Sequence, residues 1–193
     1  VVVGYNYVEA SIECLKSLLD GDPEGLRMVF VDNNSADQSA KKIFEMFAKV
    51  DVIRMKENVG FARGYNVGLA YAMRRGADYV FMLNNDTIVN RDTVPRLLEA
   101  ARQNPEAGVL APKIYYYDER DAVWSAGSKY RRFPPVVVLR KTEGPDDGRY
   151  DREPDLDFVT TCALMFPRKF LEATGLLDAN YFIFYDDYDL SIR

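Results

Sequence analysis

From residue 1 to about residue 114, short apolar runs rich in β-branched residues alternate with longer stretches in which apolar residues recur every three or four positions. That alternation most constrains the fold, because a run buried on both faces suits a parallel strand and a three-to-four spacing suits a helix lying over it. Residues 1–4, 27–32, 50–55, 79–83 and 109–114 read as strands. Between them, Ile12, Leu15, Leu18 and Leu19 mark one helix that stops before Gly21-Asp22-Pro23. Ser35 with Gln38 forms a capping box ahead of a helix with Ile43, Phe44 and Phe47 inward. A third helix carries Leu69, Ala72 and Met73 and closes at Gly76, and Asp92 caps a fourth with Val94, Leu97, Leu98 and Ala101 inward. The expected class is α/β: a mainly parallel sheet flanked by helices, Rossmann-like in its N-terminal half.

The pattern fades after residue 114. Residues 118–157 are rich in charge, proline and glycine, including Arg131-Arg132-Phe133-Pro134-Pro135, and are expected to form hairpins and mobile loops over the sheet. Residues 158–166 resume as a strand, 168–174 as a short helix closed by Gly175, and 181–185 as a last apolar segment. With 193 residues and 48% hydrophobic content the chain can bury one core, so 1–193 is expected to be a single domain. Residues 1–114, where the alternation holds, and residues 115–193 are its two halves, the first expected to bind a nucleotide and the second to hold the acceptor and catalytic residues, as the resemblance described below implies. A net charge of −5 argues against a nucleic-acid partner. Two cysteines and no histidine make neither a disulfide framework nor a zinc site. No run is long and apolar enough to span a bilayer, and a cytoplasmic location, or the inner face of the cell membrane, is expected.

In an open parallel sheet, ligands bind outside the carboxyl ends of the strands. Tyr5-Asn6, Asp32 and Asn84-Asn85-Asp86 all fall at such ends. Neither the glycine fingerprint for dinucleotides nor a Walker-type Gly-Lys-Ser/Thr element is present, so phosphates need a hard cation held by a carboxylate. Asp86 can hold that cation, and the acidic cluster Asp186-Asp187-Tyr188-Asp189 can supply a carboxylate base. The same residues also serve as turns and helix caps: Asp32 to Ser35 as a turn, Asn84 to Asp86 as a strand end, Asp187 and Asp189 as the start of a helix. Asn58, Gly60 and Asn66 suit either diphosphate contact or a turn entering a helix, and Arg63 suits a phosphate or solvent. Trp124 suits a sugar face or loop packing, while Tyr115, Tyr116 and Tyr117 are expected to pack at a strand end.

The segments Val3-Gly4-Tyr5-Asn6, Val31-Asp32-Asn33-Asn34-Ser35, Glu57-Asn58-Val59-Gly60-Phe61-Ala62, Leu83-Asn84-Asn85-Asp86-Thr87 and Tyr185-Asp186-Asp187-Tyr188-Asp189-Leu190 occur in an order and spacing that resembles the family-2 glycosyltransferases of the GT-A fold, rhamnosyltransferase-like branch. The resemblance covers essentially the whole chain. It implies inverting transfer of a sugar from a dTDP- or UDP-sugar, dTDP-rhamnose among them, to a hydroxyl of a saccharide or lipid-linked acceptor. It further implies Mg²⁺ or Mn²⁺ on Asp86, Asp32 on the pyrimidine base with Tyr5, Asn6 and Asn34 nearby, and Asp187 as base beside Asp186, which replaces the usual glutamate. Asn84 stands where many relatives have the first aspartate of Asp-x-Asp. Relatives often carry a metal-binding histidine downstream; this chain ends at Arg193, and it reads as truncated, with peripheral membrane association left to the part beyond. The alternatives are an inactive sugar-nucleotide binding module and a sugar nucleotidyltransferase, the latter disfavoured by the lack of a Gly-rich, Arg/Lys-bearing loop after the first strand.

Overall fold

A computed structural model describes residues 1–21, 24–133, 135–152 and 155–193. The expectations that involve Asp22, Pro23 and Pro134, and the part of the 118–157 stretch at 153–154, lie outside the described residues.

Four parallel strands form the centre: β1 (Val2–Gly4), β2 (Met28–Asp32), β3 (Val50–Arg54) and β4 (Tyr79–Asn84). Between them run α1 (Val8–Asp20), α2 (Ser39–Met46) and α3 (Phe61–Arg74), and α4 (Thr93–Gln103) follows β4. Two short hairpins come next, β5 (Ile114–Tyr115) with β6 (Val123–Ser125) and β7 (Ser128–Arg132) with β8 (Pro135–Leu139). Then β9 (Ala163–Pro167) closes the edge of the main sheet, and α5 (Arg168–Thr174) and α6 (Asp186–Ile192) complete the chain. The sheet order is β3-β2-β1-β4-β9, with β9 antiparallel to β4.

Strand residues alternate between two cores, which is why their sequences are apolar without interruption. Phe30, Phe81, Leu83 and Met165 face α1, α2 and α4, packing with Leu15, Ile43 and Leu97. Val29, Val31, Met82, Leu164 and Phe166 face the opposite way, toward Tyr65 and Leu69 of α3, Leu171 of α5 and Leu190 of α6. Burying each such side chain contributes about 1.5–3 kcal/mol. The helix α3 lies close on the sheet because Gly64 and Gly68 present no side chain there; a Cβ on Gly64 would meet Val3 at 3.0 Å.

Several local expectations are corrected. Residues 109–114 do not add a full parallel strand: Leu110 makes one antiparallel bridge to Met165, and Pro112 supplies no N–H to extend it. Of 158–166, only the end belongs to β9, Phe158 bridging Ser128 instead. The capping box is absent, since Gln38 sits in the left-handed region and Ser35 Oγ accepts the Asn6 N–H at 2.8 Å. Asp37 caps in its place: one oxygen accepts the Val8 N–H at the start of α1 (3.0 Å), the other the Ser39 N–H at the start of α2 (3.1 Å). Asp92 makes no cap bond and instead pairs with Arg96 at 2.5 Å. Phe44 faces solvent, one residue out of phase with buried Ile43. The 181–185 segment is apolar in type, yet Phe182 to Tyr185 are exposed.

Candidate active site

The carboxyl ends of β1, β2 and β4 share one edge because the strands pair in register, Gly4 beside Asp32 and Val3 beside Asn84. Asp32 is buried; its carboxylate accepts the Ser35 N–H at 3.1 Å and lies 3.6 Å from the guanidinium of Arg54, one strand over. Asn6, at positive φ, ties the end of β1 to the loop after β2 by accepting the Ala36 N–H at 2.9 Å. Tyr5 and Asn34 are exposed at the same edge.

Asn33, which the sequence reading passed over, is the clasp of this edge. Its amide nitrogen donates to Asn58 Oδ1 at 2.8 Å and to the Gly60 carbonyl at 3.1 Å, and its oxygen accepts the Val59 N–H at 3.0 Å. Asn58 also accepts the Gly60 N–H, so its side chain is taken up inside the turn. Asn66 is tied to the Leu177 backbone in both directions, at 2.7 and 3.0 Å, and Arg63 donates to the Ala179 carbonyl at 2.9 Å. Gly60 approaches Phe182, and the neighbouring Phe61 N–H donates to the Phe182 carbonyl at 2.6 Å. The turn and α3, expected to meet a nucleotide, thus dock the segment that leads into the acidic cluster.

That cluster and the end of β4 open onto one cleft of about 750 Å³, within the usual range for ligand sites. Asn84, Asp86, Thr161, Cys162, Asp186 and Asp187 all line it. By contrast, Tyr5, Asn6, Asp32 and Asn34 lie outside its walls, as do Asn58, Gly60, Arg63, Asn66 and Asn85. Antiparallel pairing brings Cys162 beside Asn84, whose N–H donates to the Cys162 carbonyl at 2.9 Å. Two side chains behind the strand end hold it: Tyr65 donates to the Leu83 carbonyl and to Asn84 Oδ1, and Asn85 donates to Ser11 Oγ. Asp86, the exposed residue of the three, makes no hydrogen bond or ion pair among the described residues.

The two aspartates differ. Asp186 is buried, one carboxylate oxygen is left without a partner, and burial pushes its pKa up against the hydrogen bond from Thr161, with the charges of Asp187 and Asp189 adding to the rise. Asp187 is half-buried; burial raises its pKa too, opposed by the Tyr188 N–H that it accepts at 2.9 Å. Across the cleft stand Tyr115, Tyr116, Tyr117 and Trp124, partly exposed. They form a wall of the site and do not pack away at a strand end. Of the cleft's cations, Lys113 is held by Asp146 (2.6 Å) and Asp151 (2.5 Å), and Arg120 stacks 5.4 Å over the Tyr117 ring.

No group of three or more acidic, cysteine or histidine residues clusters as a metal cage among the described residues. One unpaired carboxylate, Asp86, at the wall of a cleft with two further aspartates is the donor set on offer. It suits a hard divalent ion whose remaining ligands are diphosphate oxygens and water.

The chain is similar in sequence and in fold to known glycosyltransferases. The curated relative dTDP-rhamnosyl transferase RfbF of Shigella flexneri is 22% identical over 197 residues, taking in 100% of this chain and 61% of that protein. Glycosyltransferase GlyG of Streptococcus pneumoniae serotype 4 is 27% identical over 125 residues, 63% of this chain and 40% of that protein. The chain therefore spans less than two thirds of either relative. Among solved structures, GalNAc-T7 with UDP, GalNAc and Mn²⁺ superposes with a TM-score of 0.72 at 12% identity, covering 98% of this chain and 38% of that one. The mannosyltransferase PcManGT from Pyrobaculum calidifontis, in complex with GDP-Man and Mn²⁺, gives 0.64 at 18% identity, covering 96% and 48%. The fold is the GT-A fold of these enzymes. A family model described as Glycosyl transferase family 2 matches residues 1–174, and the chain belongs to that family.

Proposed function

We propose that this chain is the catalytic part of a metal-dependent, inverting glycosyltransferase that moves a sugar from a UDP- or dTDP-sugar, dTDP-rhamnose being one candidate, to a hydroxyl of a saccharide or lipid-linked acceptor. The observation that carries the reading is the single cleft shared by Asp86 and Asp187. Its charge explains the need for a cation: three carboxylates face a diphosphate, and the lysine present is already paired with two aspartates. Asp86 would hold Mg²⁺ or Mn²⁺, which when bound supplies positive charge at the leaving diphosphate.

Asp187 does the proton chemistry. One of its oxygens is engaged by the Tyr188 N–H, which orients the carboxylate and leaves the other for an acceptor hydroxyl. Its raised pKa makes it a stronger base than an exposed aspartate. A single base that activates the acceptor opposite the leaving group inverts the anomeric centre. Asp186, the neighbouring buried carboxylate, accepts a hydrogen bond from Thr161. The aromatic wall of Tyr115, Tyr116, Tyr117 and Trp124 offers the flat apolar surface that sugar rings prefer.

The test compares wild type with Asp187→Asn on UDP- and dTDP-sugars with Mn²⁺ or Mg²⁺, reading released nucleoside diphosphate. A loss of about 10²–10⁴-fold is expected for a removed general base. Near-normal turnover in the variant would take Asp187 out of the role. Thermal shift with UDP, dTDP and GDP, with and without Mn²⁺, reads donor binding separately, since a ligand of the folded state raises Tm by mass action. Asp86→Ala should abolish the part of that rise that needs the metal.

A further inference from the structure

The β7–β8 ribbon differs in chemistry from the rest of the chain. Residues 128–141 contain Lys129, Arg131, Arg132, Arg140 and Lys141 and not one Asp or Glu, in a chain whose net charge is −5. Cations and apolar side chains share one face of the ribbon, and apolar groups continue on the other. Lys129 pairs opposite Val138 and Arg131 opposite Val136 on one side, Tyr130 opposite Val137 and Ser128 opposite Leu139 on the other.

The ribbon is anchored at its base and as far as the Tyr130 N–H, which donates to Asp157 at 3.0 Å. The Ser128 N–H donates to the Phe158 carbonyl at 2.9 Å, the Ala126 N–H to the Arg140 carbonyl at 2.8 Å, and Tyr150 donates to the Lys141 carbonyl at 3.2 Å. Lys129 lies 3.9 Å from Asp157, and the Arg140 guanidinium sits 4.9 Å over the Tyr150 ring. Its described side chains stand open: Tyr130 is 53% exposed, Val138 47%, Leu139 59%, and Phe133 at the turn 89%. The side chains of Arg131 and Lys141 make no hydrogen bond or ion pair among the described residues.

We propose that this ribbon docks the chain on an anionic phospholipid surface, with Phe133 entering the headgroup layer. The bilayer boundary accommodates both halves of its chemistry, taking aliphatic and aromatic groups into its apolar side while guanidinium and ammonium groups meet lipid phosphates. A soluble polyanion would match the charges but leave Val136, Val138, Leu139 and Phe133 in water. No described helix is long and apolar enough to cross a membrane. It begins four residues after Trp124 of the cleft wall, so docking would bring the acceptor side of the cleft close to the lipid. This inference does not rest on the transferase reading, because lipid binding is measured without donor or acceptor.

The intact chain is tested by co-sedimentation with vesicles of phosphatidylcholine alone and of phosphatidylcholine with phosphatidylglycerol, at low and high salt. Salt-sensitive binding to the anionic vesicles and little to the neutral ones is expected. Arg131→Glu and Lys141→Glu should each weaken it at least about fivefold, the ratio for about one lost basic contact. Phe133→Ser should weaken it as well, and Phe133→Trp should retain binding and shift its emission to the blue when anionic vesicles are added, by more than wild type, whose one tryptophan is Trp124. These positions are exposed, and an unchanged Tm establishes that each variant is folded. Binding that is absent from the anionic vesicles, or the same in wild type and all variants, overturns the proposal. So does capture by soluble polyphosphate that Phe133→Ser leaves untouched while vesicles capture nothing, an outcome that assigns the ribbon to a polyanion.

Discussion

Replacing Gly60 with alanine tests whether the turn before α3 positions the acidic cluster. Gly60 has φ +84° with an extended ψ of −179°, a region essentially reserved for glycine, and an L-residue there is strained by about 1–3 kcal/mol. A Cβ on it would lie 2.5 Å from the Phe182 carbonyl oxygen, so the two must part by about 0.9 Å to reach the 3.4 Å of an ordinary contact. Because the obstacle is backbone, a side-chain rotation does not relieve it. The segment bearing Phe182 must move, stretching the 2.6 Å bond from the Phe61 N–H, and Asp186 follows four residues later. Misplacement of about 1 Å costs about 10²-fold in rate when a reacting group is carried with it. In nucleoside diphosphate release, kcat should therefore fall about 10²-fold in Gly60→Ala, while the Tm drops by about 2–12 °C, 2–4 °C for each kcal/mol of strain. Full turnover together with an unchanged Tm would refute the claim that this turn holds the catalytic segment.

Other perturbations read separate parts of the structure. Asn33→Ala removes three hydrogen bonds from a buried clasp, each contributing about 1 kcal/mol, and should lower Tm by about 6–12 °C; a drop below about 2 °C in a melting curve would contradict the clasp. Asp186 has its pKa raised by burial, so its stabilising contribution is full below the ordinary value near 3.8 and is lost as pH rises through the folded value. Asp186→Asn should accordingly raise Tm at pH 7 by about 2–4 °C, with the gap closing near pH 3, and a lower Tm at pH 7 counts against an orphaned buried carboxylate. Asp37 behaves in the opposite sense. Burial raises its pKa, but hydrogen bonds from the Ser39 hydroxyl and the Val8 and Ser39 N–H groups outweigh that and leave it lowered, so its capping stabilises above pH 3.8 and is lost as pH falls through the folded value. Asp37→Ala should melt earlier at pH 7 by an amount that shrinks in acid, since two helix starts lose about 0.5–2 kcal/mol each. Finally, the acid limb of kcat/KM should lie above the ordinary aspartate value and vanish in Asp187→Asn, as read from a pH-rate profile.

The sequence by itself determined the layers of this protein. Runs such as Val29-Phe30-Val31 and the three-to-four spacing of Leu15, Leu18 and Leu19 are local, and local periodicity is enough to name strands and helices and to put Asp32 and Asp86 at strand ends. The acidic residues of α6 were equally visible, because their chemistry is carried by consecutive positions. Tertiary structure alone decided which of these residues meet. The antiparallel return of β9 brings Thr161 and Cys162 beside Asp86, a pairing no local pattern encodes. It also decided that Asn58, Arg63 and Asn66 are spent on the protein's own backbone, and that Tyr115 to Tyr117 and Trp124 form a wall of the cleft. An amide or a ring is chemically ready for ligand or for packing alike. Which partner it takes depends on what segments distant in sequence place within about 3 Å of it, and that is settled only when the chain has closed.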